Sequence, residues 1–98
     1  MRAIRAAKES GGSYVNVSDQ EILDAIAELG RVGVFAEPAG AAAYAGLVKG
    51  SASGLVRSED PILVLNTGSG LKDTGAAMRA VKSAPIIEPT LEAVKKLL

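Results

Sequence analysis

Pro61-Ile62-Leu63-Val64-Leu65-Asn66 followed by Thr67-Gly68-Ser69-Gly70 is the stretch on which the fold reading turns. A continuous apolar run bounded by proline and glycine is the pattern of a strand buried on both faces, as in a parallel sheet covered by helices. The run leads straight into a glycine-punctuated loop, and a helix is predicted after it, over residues 73–82. In open α/β sheets, ligands sit outside the carboxyl ends of the strands, and glycines there let backbone N–H groups approach an anion or a flat ring. The local pattern alone leaves two readings open, a small-ligand loop and a plain tight turn.

Working back toward the N-terminus, Val34-Phe35-Ala36-Glu37-Pro38-Ala39-Gly40-Ala41-Ala42-Ala43 predicts a helix start, since Pro38 suits a first turn in which its missing N–H costs nothing. Glu37 just before that start is a favourable charge–dipole arrangement. The run of Ala and Gly that follows permits close helix packing. The helix is predicted over 39–49 and closed by Gly50, and residues 32–36 are short and extended or irregular. Ser18 with Glu21 forms a capping box ahead of a helix whose Ile22, Ile26 and Leu29 share a stripe, with Gly30 as its terminator. Before it, residues 13–17 alternate as a short strand. Residues 2–10 have helical spacing and stop at Gly11-Gly12. Beyond the loop, Ile86-Ile87 forms a brief extended piece, and Thr90 caps a last helix carrying Leu91, Val94 and Leu98.

Helices separate the strands, so the predicted class is α/β, a partial three-layer α/β/α arrangement with a mostly parallel sheet. The 98 residues are one domain's worth of chain. Two strands do not make an independent sheet, and the expectation is a single piece, residues 1–98, of a larger domain.

Composition removes several classes of function. The net charge is zero and apolar residues are 48% of the chain, which excludes disorder and an electrostatic nucleic-acid binder. No apolar run reaches the roughly 18 residues that span a bilayer, and the N-terminal residues carry no secretory signal. The chain has neither Cys nor His, so disulfides, thiolate or histidine metal sites and a Ser-His-Asp triad are all excluded within it. The expected location is the cytoplasm. The lack of Cys and scarcity of Asn and Gln lean toward a thermophilic source.

The ordered set Glu37-Pro38-Ala39-Gly40-Ala41-Ala42, then a strand, then Thr67-Gly68-Ser69-Gly70-Leu71-Lys72-Asp73 resembles the C-terminal region of threonine synthases, members of the fold-type-II group of pyridoxal-phosphate enzymes. The flanking text is similar too: Arg2-Ala3-Ile4 with Glu9-Ser10-Gly11-Gly12, the segment Val15 to Ile26, and Glu88 to Leu98. The resemblance covers essentially the whole chain, and it makes the expected fold the C-terminal part of the large domain of such an enzyme. It implies a parent lyase of threonine biosynthesis that converts O-phosphohomoserine and water to threonine and phosphate, with pyridoxal phosphate as cofactor. The N-terminal remainder would be this chain's partner, and the parent a homodimer.

By the same resemblance Thr67 lies beside the pyridine nitrogen of the cofactor. A neutral hydroxyl there tunes the ring as an electron sink without fixing a full pyridinium charge. Gly68 and Gly70 give the loop room beside the ring, and Glu37 lies near the same cleft. No catalytic residue and no metal ligand are assigned within the chain. Lys72 is read as a surface or helix-start lysine: its surroundings lack the Pro, Phe and Arg of the family's Schiff-base lysine motif. That motif and the glycine-rich phosphate loop are absent from these residues, so the isolated chain is expected to be inactive and to bind no cofactor. Gly40 stands where threonine synthases often carry serine and threonine deaminases glycine. The rivals are another fold-type-II lyase (threonine deaminase or cysteate synthase) and, outside the enzymes, a small α/β module that binds a ligand or partner.

Overall fold

A computed structural model describes residues 2–98, and its elements are helical. Helix α1 spans Arg2–Ser10, α2 Asp19–Arg31, α3 Pro38–Ala52, α4 Thr74–Ala80 and α5 Leu91–Lys95, with a single 3₁₀ turn at Gly70–Lys72 ahead of α4. The local start signals act as the sequence predicts. Ser18 accepts from the Glu21 N–H at 3.2 Å while Glu21 Oε2 accepts from the Ser18 N–H at 2.6 Å, closing the capping box on two otherwise orphaned donors. Pro38 opens α3, and Thr90 caps α5 by accepting from the Ala93 N–H at 3.2 Å.

The stop signals are displaced. Helix α2 continues through Gly30 and ends ahead of Gly33, and α3 continues through Gly50 and ends ahead of Gly54; Gly33 and Gly54 have φ of +83° and +74°. Gly50 is buried inside α3. A glycine ends a helix where the chain takes the left-handed conformation, which Gly33 and Gly54 adopt and Gly30 and Gly50 do not.

The core lies where α2, α3 and α4 meet. It consists of Ala25, Ile26, Ala36, Ala41, Ala45 and Ala76, flanked by Val17, Ile22, Leu23, Leu29, Tyr44 and Ala80. Five of the six buried side chains are methyl groups, so the helices approach closely and little apolar area is buried per residue. Only Ile26 brings a large side chain to that centre, and its burial is worth roughly 1.5–3 kcal/mol. Helices α1 and α5 bury no residue.

The parallel sheet expected from residues 13–17 and 61–66 does not form. Among the described residues the β-pairing is one isolated antiparallel bridge, between Ala36 and Ser69. Strand character is a property of a pair: an extended segment becomes a strand only when a neighbour accepts its N–H and C=O groups. Residues 61–67 carry no regular secondary structure, and Ile62, Leu63 and Leu65 are exposed at 50%, 84% and 66%. The sequence pattern of a doubly buried strand is present; the layers that would bury it are not supplied by this chain. The extended Ile86-Ile87 piece likewise pairs with nothing among the described residues, and Leu91, Val94 and Leu98 of the last segment are exposed. No described helix is long and apolar enough to cross a membrane.

Candidate functional site

The start of α3 and the loop after the apolar run are distant in sequence and meet in space. The Glu37 N–H donates to the Gly68 carbonyl at 3.0 Å, and the Gly70 N–H donates to the Phe35 carbonyl at 2.9 Å. These two bonds flank the Ala36–Ser69 bridge and fasten the loop across the residues that lead into α3. Glu37 is the N-cap residue of α3, but its carboxylate makes no capping bond to the helix. It turns instead to Lys72, whose Nζ donates to Glu37 Oε1 at 3.4 Å. The Glu37 side chain is 16% exposed and that of Lys72 is 65% exposed.

Close approach explains the glycines of this region better than free space does. A Cβ on Gly68 would strike the carboxylate of Glu37 and lie 2.9 Å from Lys72 Nζ; one on Gly70 would strike the ring of Phe35. The volume those glycines leave open is therefore filled by the chain's own side chains. Gly40, in the first turn of α3, is tied to the loop in the same way. A Cβ there would strike Asn66 Oδ1 and stand 3.3 Å from the Thr67 backbone nitrogen.

Downstream, the loop is held by its own caps. Ser69 Oγ accepts from the Leu71 N–H at 3.3 Å, and Asp73 Oδ1 accepts from the Ala76 N–H at 2.9 Å to start α4. Ala76 in turn is buried in the core. The loop is thus anchored on one side to α3 and on the other to α4.

Of the four residues predicted for the site, Glu37, Gly68 and Gly70 are brought together in this seam. Thr67 is adjacent to it and exposed. Three further residues belong to the arrangement: Phe35, Asn66 and Lys72. Lys72, read from sequence as a bland surface lysine, has a specific partner. The sequence signal for it is the pairing of opposite charges in two motifs already singled out. Phe35 and Asn66 carry no signal of their own, because their part is to fill the space the glycines vacate. The described residues hold no group of three or more His, Cys, Asp or Glu that could bind a metal.

Comparison with known proteins agrees with the ordered motifs. The pyridoxal-phosphate dependent enzyme family matches residues 1–68. The chain is 43% identical over 91 residues to a threonine synthase of Halalkalibacterium halodurans, covering 92% of the chain and 26% of that protein. It is 39% identical over 98 residues to a threonine synthase of Methanocaldococcus jannaschii, covering 99% of the chain and 24% of that protein. A threonine synthase of Mycobacterium tuberculosis is 39% identical over 97 residues, covering 97% of the chain and 27% of that protein. The chain spans about a quarter of the length of these curated relatives. With its first two-thirds matched by the family and more than nine-tenths of its length by each of these relatives, the chain belongs to the pyridoxal-phosphate dependent enzymes.

Proposed function

We propose that the chain is the C-terminal part of a threonine synthase, completing the large domain's sheet and supplying Thr67 to the cofactor ring. The complete enzyme would convert O-phosphohomoserine and water to threonine and phosphate. The observation that carries the reading is the joining of the two family motifs: the Glu37 N–H bonds the Gly68 carbonyl, so Glu37-Pro38-Ala39 and Thr67-Gly68-Ser69-Gly70 act as one structural unit. The run 61–66 would enter the remainder's parallel sheet as a strand, which accounts for an apolar segment left exposed here.

The residues present fit one edge of pyridoxal phosphate and not the other. Thr67 offers an exposed neutral hydroxyl at the end of the apolar run, suited to accept or donate one hydrogen bond to a ring nitrogen. Nothing comparable serves the phosphate. The long helix that starts at the site has the Glu37 carboxylate at its N-cap, and a negative charge there opposes an anion. The engagement of Lys72 with Glu37 supports reading it outside the imine-forming role. When bound in the complete enzyme, the cofactor supplies the electron sink for chemistry at the substrate's α-carbon. This chain's contribution is to hold a neutral hydroxyl at a fixed position.

The Gly40 position, which by type leans toward a deaminase, loses weight as a substrate marker. Asn66 Oδ1 occupies the space a side chain at 40 would need, so packing within this chain is by itself a reason for glycine there.

The test is a chimera in which residues 1–98 replace the matching region of the Methanocaldococcus jannaschii relative. The chimera should bind pyridoxal phosphate and form threonine from O-phosphohomoserine, while the 98-residue chain alone does neither. Thr67→Val in the chimera should lower kcat about tenfold, the size of one lost hydrogen bond. Borohydride trapping of a stoichiometric cofactor adduct on Lys72 would overturn the assignment, as would a chimera that deaminates threonine instead.

A further inference from the structure

We infer that Lys72 is a positioning residue for Thr67, acting through the Glu37 carboxylate to hold the ring-nitrogen loop against the start of α3. The inference rests on the reading of Thr67 given above.

An exposed ion pair at 3.4 Å would ordinarily contribute little, at most about 1 kcal/mol. Here the two partners are unequally placed. Lys72 is largely in solvent, but the Glu37 side chain is 16% exposed and lies directly beneath the Gly68 backbone. Among the described residues Lys72 is the one cation paired with it, and its side chain caps no helix N–H. A carboxylate partly withdrawn from water bears part of the cost of a buried charge, and more of it when its pair is lost. Without Lys72, the least costly way to rehydrate Glu37 is to lift the loop that covers it. Lifting the loop breaks the Glu37–Gly68 and Phe35–Gly70 bonds and carries Thr67 away with Gly68. The fastening is local, since the downstream turn keeps its own caps at Ser69 and Asp73.

This predicts a sign that a simple surface pair does not. Removing the cation alone should harm the loop, whereas removing both charges should spare it. The variants Lys72→Met, Lys72→Arg, Glu37→Gln and the double Lys72→Met/Glu37→Gln would be made in the chimera. In the cofactor-free protein, hydrogen exchange of the Glu37 and Gly70 N–H groups, the two that bond across the seam, is followed as the loop's readout with α2 and α3 as internal reference. Lys72→Met should speed exchange of the loop about tenfold, leaving the reference helices unchanged. Lys72→Arg and the double variant should return it to near the parent rate. In the loaded protein, Lys72→Met should shift the cofactor's absorption in the same direction as Thr67→Val and lower kcat more than it raises the substrate KM. Unchanged loop exchange in Lys72→Met, or loss that the double variant fails to restore, overturns the inference. The two readings fail separately. If Thr67→Val leaves the cofactor spectrum unmoved while Lys72→Met still loosens the loop, the hydroxyl assignment is wrong and the fastening stands as a structural one. If Thr67→Val moves the spectrum and Lys72→Met moves neither spectrum nor exchange, the fastening is wrong and Thr67 stands.

Discussion

At Gly40 and Gly68, the missing side chain is the structural feature. Asn66 and Glu37 lie where the Cβ atoms would be, and the consequence is testable by refilling the space. Gly40→Ser should destabilise by about 1–3 kcal/mol, the usual cost of overpacking. Because the obstruction begins at the amide of Asn66, adding Asn66→Ala should recover part of that loss. The Thr67 backbone nitrogen, 3.3 Å from the added Cβ, cannot be trimmed and should keep recovery incomplete. A double-mutant cycle on urea midpoints measures both statements; strictly additive losses would refute the coupling. The motif residues themselves were legible in the sequence, since Glu37 and Thr67 stand in recognisable strings. Their joining was not, because a contact between positions 35 residues apart, such as Lys72 with Glu37, leaves no periodic trace.

The helices show where local chemistry suffices. Ser18, Pro38 and Thr90 start α2, α3 and α5 where the sequence predicts: Ser18 and Thr90 accept from backbone donors within one turn, and Pro38 stands where no donor is needed. Ser18→Ala should cost about 1 kcal/mol, read as a lower melting temperature by circular dichroism. The same cap gives α2 a pH dependence. The Glu21 carboxyl is held below its ordinary value of 4.5 by the Ser18 backbone N–H first, then by the Ser18 hydroxyl and the Lys49 ammonium. A depressed folded-state value means that the stabilisation is present above the unfolded value and is lost as pH falls through the folded one. Melting temperatures of the parent should therefore fall more steeply below about pH 4.5 than those of Glu21→Gln. Equal slopes would remove Glu21 as the cause. Helix ends were less legible: Gly30 and Gly50 offered a stop, but the left-handed turns fall at Gly33 and Gly54, and one glycine's conformation cannot be told from another's by type alone. Strands were least legible of all. The run 61–66 has the right composition, yet a strand exists only with a neighbour, and no property of one segment guarantees that its neighbour is in the same chain.

Over the whole molecule, the radius of gyration is 17.8 Å and the extents are 61 × 29 × 20 Å. A compact domain of this length would have a radius of about 13 Å. The excess comes from parts with no internal partner: α1 and α5 bury nothing, and Leu63, Leu65, Ile86 and Leu98 are all more than half exposed. Exposed apolar patches of this kind drive association. The isolated chain should self-associate with increasing concentration in multi-angle light scattering, and Leu63→Asp should reduce this without lowering the helix signal. A monodisperse monomer of the parent at high concentration would contradict that expectation. The seam between Ala36 and Ser69 has a kinetic consequence as well. Helices α2 and α3 are neighbours in the chain and pack together directly, whereas the seam has to close a long loop before any of its bonds can form, an entropic cost that delays such contacts. The seam should then be unmade in the folding transition state. Gly68→Ala should leave the refolding rate almost untouched and hasten unfolding, while Ile26→Val slows refolding. The fastening at Thr67 would be the last part of the chain to set and the first to let go.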